Sequence, residues 1–324
     1  MVIVFFGTPQ FAVPTLEALL ASRHHIPLVV TQPDKRRDRG QKITDAPVKA
    51  AARAHNVPVL QPGRLRDPDV ADVLRRHAPD LAVVAAYGKL IPGDLLTLPR
   101  LGMINVHASL LPKYRGAAPV HRAIMDGEGE TGVTIMRMVE ALDAGDMLAK
   151  SVRIIGPDDT SEQLEQALAH DGAALLLDAL DRLEAGDVRA EPQDESASTY
   201  APRLRKEEGR IDWTQPARRI HDQVRGLYPW PHAYSYLDGA RVIVWKTVIR
   251  LKPDSTSQPD STGQPDSTPV TPGMIVDVTR DAIEVATGDG LIALTEVQAE
   301  GRRPMRTRDF LAGRPVRPGT KFGS

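Results

Sequence analysis

Val2-Ile3-Val4-Phe5-Phe6, then an apolar helical segment near Val13 to Leu20, then Leu28-Val29-Val30, is the stretch whose reading decides the fold. Short β-branched runs that alternate with helical segments signal parallel βαβ units. Outward from it the alternation continues, with helical patterns around Val48 to His55 and Val70 to Arg76. The runs Leu81-Ala82-Val83-Val84-Ala85 and Gly102-Met103-Ile104-Asn105-Val106-His107 follow. These central runs are nearly all apolar, as strands covered by helices on both faces must be. A further strand is predicted over Val133 to Met138 and a long helix over Leu164 to Leu183, with the hydroxyl of Thr160 or Ser161 capping its first amides. The predicted class is α/β, built on an open parallel sheet.

The rest of the chain reads differently. Arg241 to Trp245, Met274 to Val278, Ile283 to Ala286 and Leu291 to Leu294 are short strands separated by Gly-containing turns, a pattern that predicts a small open barrel. Glu191 to Thr199 is polar and small and reads as a linker. The expected division is therefore a first domain over 1–204, a linker at about 190–207 and a second domain over 208–324. A six-residue repeat, seen in Gln258-Pro259-Asp260-Ser261-Thr262 and again in Gln264 to Thr268, cannot bury a core, so 252–272 is expected to be a disordered loop.

With 324 residues, 41% hydrophobic and 26% charged, the chain is long enough for two cores. The apolar start lacks a basic leader and ends at Gly7, and no apolar run approaches the roughly 18 residues of a membrane span, so a soluble cytoplasmic protein is expected. Without cysteine there is no disulfide, thiolate nucleophile or cysteine-ligated zinc. The net charge of −1 hides an uneven distribution. Asp34 to Lys42 carries five basic and two acidic residues, and Arg302 to Ser324 carries seven basic residues against Asp309 alone. Such local basic segments fit a polyanionic partner.

Asn105 and His107 sit two apart at the end of an apolar strand, so their side chains leave the same face of the sheet. In open parallel sheets, ligands bind at the carboxyl ends of strands, near a switch in strand order. Next comes Ser109-Leu110-Leu111-Pro112-Lys113-Tyr114-Arg115-Gly116, a turn that displays leucines where surface loops seldom do. It is either tucked against its own domain or the wall of a pocket for a flat ligand. In Glu140 to Leu148, Gly145 permits a tight bend, and Asp143 or Asp146 is placed to turn back toward His107. An amide, an imidazole and a carboxylate that converge supply an oxyanion donor, a proton carrier and a group that orients the imidazole. The histidines show no H-E-x-x-H spacing, and neither G-x-G-x-x-G nor a P-loop is present.

The string Asn105-Val106-His107-Ala108-Ser109-Leu110-Leu111-Pro112, followed by the Asp143 loop, resembles the folate-dependent formyltransferase family. Further similar segments are Phe6 to Ala12, Thr31 to Asp34, Thr131 to Met136, Arg210 to Trp213, Pro229 to Pro231 and Gly288 to Gly290, which together span nearly the whole chain. The repeat at 258–268 departs from the family pattern. The resemblance implies a Rossmann-like catalytic domain followed by a small barrel resembling an OB-fold. It implies Asn105, His107 and Asp143 as the catalytic triad and Ser109, Leu110, Leu111 and Pro112 as the folate-binding turn. Leu90 and Ile91 either complete that pocket or pack in the core. The implied formyl donor is 10-formyltetrahydrofolate, with no metal.

The branch most alike acts on the amine of methionine esterified to initiator tRNA, and Arg36, Arg37, Arg39 and Lys42 fall on its tRNA-binding insertion. Asp143 beside His107 is expected to favour the imidazolium. The expected partners are charged initiator tRNA and folate, with no membrane, and the expected state is a monomer. The runner-up readings are a formyltransferase for a small amine such as a nucleotide sugar, a hydrolase that releases formate, and an RNA-binding protein with a non-catalytic domain.

Overall fold

Val2–Gly7 forms β1, and every residue after Val2 is buried. It is the centre of a sheet whose other strands are His25–Val30 (β2), Val59–Leu60 (β5), Leu81–Ala85 (β6), Met103–His107 (β7), Glu130–Arg137 (β9) and Met147–Ile154 (β10). Two more pairs lie outside it: Arg36–Arg37 (β3) with Lys42–Ile43 (β4), and Arg115–Gly116 (β8) with Tyr200–Ala201 (β11). The computed structural model describes residues 1–34, 36–37, 42–250 and 271–323. The repeat at 258–268 and Arg39 therefore lie outside the described residues.

The strand order is β10-β9-β7-β6-β1-β2-β5. Strands β5, β2, β1, β6 and β7 are parallel, and β9 pairs antiparallel with both β7 and β10. The sheet is thus the parallel one expected, except that β9 alone runs backwards. From β1 the chain builds out to β2 on one side and to β6 on the other, so the switch in order falls between β1 and β6. Alternate residues face opposite layers: Val4, Phe6, Leu28, Val30, Ala82 and Val84 share one core. There they meet Val70 and Leu74 of α3 (Pro68–Arg76) and Leu95 and Leu96 of α4 (Gly93–Leu96). Two earlier helices, α1 (Val13–Ala21) and α2 (Pro47–Ala54), pack on each other.

The described chain clusters into two units. The first comprises Met1–Val120, Gly129–Ile155 and Gln163–Arg203. The second takes His121–Glu128, Gly156–Glu162 and the residues from Leu204 onward. Helix α5 (Pro119–Met125) and the start of α6 (Ser161–Ala185) therefore belong largely with the C-terminal residues, although both precede residue 204. The reason is polar: Arg122 is ion-paired with Glu208, and Arg225 Nη1 donates to the carbonyls of Gly156 and Asp159 at 3.3 and 3.1 Å. Helix α6 begins at Ser161, which leaves Thr160 at the flanking cap position, while the Ser161 hydroxyl donates to the Tyr228 carbonyl.

The second unit also holds α7 (Ala217–Gly226), α8 (Thr307–Gly313) and the antiparallel strands β12 (Ala233–Leu237), β13 (Ala240–Arg250), β14 (Ile275–Val278), β15 (Ile283–Ala286), β16 (Leu291–Ala299), β17 (Met305–Arg306) and β18 (Phe322–Gly323). Their order is β14-β15-β16-β13-β12-β18, with β17 on β16. The segment around β18 also reaches β14: Ile275 N donates to Thr320 O, Gly319 N to Ile275 O and Phe322 N to Gly273 O, each at 2.8 Å. The two edges thereby meet, so the barrel expected to be open is closed by its own C-terminal segment. Its core holds Ile211, Trp213, Ile220, Leu237, Val244, Ile292 and Phe322. No helix among the described residues is long and apolar enough to cross a membrane.

Candidate active site in the first unit

His107 ends β7, 5% exposed, two residues after a half-buried Asn105. Its Nε2 lies 3.0 Å from the Tyr114 carbonyl, which can only accept, so Nε2 carries a hydrogen. Its Nδ1 faces Asp143, with Oδ2 at 3.8 Å. That spacing exceeds a direct hydrogen bond and suits a bridging water or a migrating proton. Asp143 Oδ2 in turn accepts the Gly116 amide at 2.9 Å. Asp143 itself has φ +48°, in the left-handed region where an L-residue sits only when its surroundings hold it. Of the two acidic candidates in that loop, the structure brings Asp143 to His107.

The leucine-bearing turn divides in two. Ser109 and Leu111 are covered: the Ser109 hydroxyl donates to the Lys113 carbonyl at 2.7 Å, and Leu111 packs with Met136 and Met147. Thr134 ties the turn to the sheet, since its hydroxyl donates to Ser109 O at 2.7 Å and accepts from Leu111 N at 3.2 Å. The side chains of Ser109 and Leu111 therefore brace the turn rather than line a pocket. Leu110 and Pro112 are half-buried, and Leu110 lies over Gly132, where an added Cβ would come within 2.5 Å of it.

Two clefts open past strand ends: the larger is lined from the segments that follow β5 and β6, and the smaller from those that follow β1, β2 and β6, at the switch in strand order. One of about 440 Å³ is lined by Arg64, Leu65, Lys89, Leu90, Ile91 and Glu140. Leu90 is 78% exposed there, so it is not core packing. Lys89 Nζ donates to the carbonyls of Pro62 and Gly63 at 3.3 and 2.9 Å. The other, of about 250 Å³, is lined by Thr8, Gln32, Asp34, Thr44, Ala86 and Gly88. The Lys49 ammonium and then the Gln61 amide, each bonded to Asp34, hold its carboxyl below the usual carboxylate range. Arg36 and Arg37 on β3 pair with Ile43 and Lys42 on β4, so a two-stranded ribbon carries three of the four basic residues expected to meet tRNA.

Residues 191–201, read as a linker, are pinned to this site. Glu191 bridges Met147, the Tyr114 amide donates to Thr199 Oγ1 at 2.8 Å, and β11 pairs with β8. Gln193 clasps the Asp143 loop, Nε2 donating to the carbonyls of Asp143 and Gly145 at 2.8 and 2.7 Å. Sequence reasoning missed Gln193, Arg115 and Thr134. Their polar side chains carry no periodic signal, and Gln193 is separated from its target by 50 residues of chain.

Comparison with known proteins adds to this geometry. Residues 1–180 match the family model described as formyl transferase, and residues 203–315 match that of the formyl transferase C-terminal domain. The methionyl-tRNA formyltransferase of Geobacter sulfurreducens is 45% identical over 99% of this chain and 96% of its own. That of Alkaliphilus oremlandii is 44% identical over 100% of both chains. Among solved structures, an N-formyltransferase from Helicobacter canadensis, in complex with folinic acid and dTDP-3-aminofucose, superposes with a TM-score of 0.66 at 16% identity, over 92% of this chain and 100% of that one. HypX from Aquifex aeolicus, in complex with tetrahydrofolic acid, gives a TM-score of 0.63 at 19% identity. The alignment covers 97% of this chain, which spans about half of that longer one (48%). Both structures share the fold. The chain belongs to the formyl transferase family.

Proposed function

We propose that the protein transfers the formyl group of 10-formyltetrahydrofolate to the α-amino group of methionyl-initiator tRNA in the cytoplasm, with Asn105, His107 and Asp143 as the catalytic groups. The observation that carries the catalytic assignment is the meeting of His107 and Asp143 at 3.8 Å, beside a half-buried Asn105 at a strand's carboxyl end. The larger cleft suits the donor: Leu90 offers apolar surface to a flat ring, with Ile91 behind it in the core, and Arg64 and Lys89 offer cations to its carboxylates.

Formyl transfer between two nitrogens passes through a tetrahedral intermediate whose oxygen becomes negative. Asn105 supplies a donor for that oxygen. An α-amino group ordinarily titrates at about 7.7 to 8.0, so the attacking amine is already partly neutral near pH 7 and needs no strong base. What remains is to carry a proton from the attacking nitrogen to the departing one, and the His107 Nδ1 and Asp143 carboxylate pair, whose 3.8 Å gap has room for a relaying water, is placed to do so. The ribbon carrying Arg36, Arg37 and Lys42 fits phosphates near an unpaired acceptor end.

The deciding experiment supplies 10-formyltetrahydrofolate with charged initiator tRNA, an aminosugar nucleotide or water. Formyl-methionine esterified to tRNA is the expected product. Formylation of the sugar amine in preference to the tRNA, or release of formate alone, would replace this reading.

A further inference from the structure

We propose that Gln193, backed by Arg115, is a positioning residue for Asp143, an inference that rests on the catalytic reading of Asp143 above. A primary amide has two hydrogens and two acceptor sites, and all four are used here. The hydrogens go to the Asp143 and Gly145 carbonyls at 2.8 and 2.7 Å. The oxygen accepts from Arg115 Nε and Nη2 at 3.0 and 2.8 Å. Rotating the amide by half a turn would set its oxygen against two carbonyls and its hydrogens against a guanidinium, so one orientation is allowed. Arg115 is fixed from the far side by Glu195, at 2.9 and 2.7 Å.

The next residue along, Gly116, donates its amide to the Asp143 carboxylate at 2.9 Å. Asp143 is therefore gripped twice, at its main-chain carbonyl through Gln193 and at its side chain through Gly116. Both grips trace back to the Arg115-Gly116 dipeptide of β8. This double hold keeps Asp143 at φ +48° and sets the 3.8 Å gap to His107. Proton transfer across such a gap depends steeply on its geometry, whereas the Leu90 cleft meets this loop at Glu140, ahead of the Asp143 and Gly145 carbonyls that Gln193 holds.

The test compares Gln193→Leu, Gln193→Glu, Arg115→Lys and Asp143→Asn in full-length protein, with kcat, KM for the formyl donor, thermal midpoint and pH profile measured for each. Gln193→Leu is expected to lower kcat roughly 10-fold or more with KM for the donor changed less than about 2-fold. Gln193→Glu keeps the size but turns an anionic oxygen toward the two carbonyls. Its kcat should recover as the pH falls and the carboxyl regains a hydrogen to donate, a slope the parent protein lacks. Arg115→Lys, which loses the planar fork, should fall between the parent and Gln193→Leu. Wild-type kcat in both Gln193 variants, or a kcat loss with an unaltered pH profile that simply follows a lowered thermal midpoint, would overturn the proposal. An active Asp143→Asn would instead remove the reading on which it stands.

Discussion

A carboxylate fixed by a main-chain amide and set 3.8 Å from an imidazole nitrogen has little reason to exist for stability alone, because its residue occupies a disfavoured backbone region. Replacing His107 by Ala, or Asp143 by Asn, should each cost on the order of 10²-fold in turnover while the fold survives, measured as kcat with circular dichroism as the control. Near-parental turnover in either variant would take that residue out of the mechanism. Gly145 makes a different prediction, because a Cβ there would meet the Arg137 carbonyl oxygen at 1.9 Å, and backbone cannot step aside as a flexible side chain can. Gly145→Ala should thus destabilise the protein by about 2 to 4 kcal/mol in denaturant titration, with activity lost as the Asp143 loop shifts. Unchanged stability would mean that the loop does not hug β9. At this scale Asn105 and His107 were legible from their spacing of two on a strand. Asp143 could not be told from Asp146 by chemistry alone, and only the resemblance chose between them. Gln193 was hidden because a polar side chain that binds carbonyls leaves no mark on hydrophobic pattern.

Elements with strong periodicity were the legible ones: β1, β6, β7 and α6 lie where apolar runs put them, because burial of those runs outweighs any local alternative. The two-residue strands β8 and β11 were not, since a pair so short is made by its neighbours and not by propensity. Barrel closure escaped for the same reason, as β18 is Phe322 and Gly323 alone. Phe322 is 1% exposed, its ring centroid 5.4 Å from that of Trp213, and its amide joins the barrel's two edges. Phe322→Ala should therefore cost about 3 to 5 kcal/mol and expose two strand edges, read as a lowered thermal midpoint and concentration-dependent aggregation. An unshifted midpoint would show that the C-terminal segment does not close the barrel in solution. On α5, burial and then the neighbouring Arg122 push His121 down to about 4 from its ordinary 6.5. Native His121 stays neutral while the unfolded chain gains a proton, so stability present above pH 6.5 should decline as the pH falls toward 4. The loss approaches about 3 kcal/mol, and His121→Leu should flatten that part of the stability curve. An equally steep decline in His121→Leu would assign the acid sensitivity to other groups.

Over the whole chain, 41 basic residues against 42 acidic ones conceal a partition that the total cannot express. Of the seven basic residues after Arg302 inclusive, Arg314 is spent internally on Asp238 and the Leu237 carbonyl. Arg302, Arg303, Arg306, Arg308, Arg317 and Lys321 are exposed. Each phosphate met by such a side chain releases condensed counterions, which makes affinity fall with salt by a slope of roughly 0.7 to 0.9 per contact. If about four of these residues meet the tRNA backbone, KM for charged tRNA should rise roughly 10²-fold between 50 and 200 mM salt, on the order expected for four contacts. KM for the formyl donor, a small ligand in its own cleft, should change far less over the same range. Replacing Arg302 and Arg303 together by Gln should reduce the tRNA slope by about 1.5 to 2 while leaving kcat at saturating tRNA in place. A tRNA KM indifferent to salt, or a slope unaltered in the double variant, would mean that the basic C-terminal segment faces solvent rather than nucleic acid, and that the acceptor is recognised by the first unit's ribbon alone.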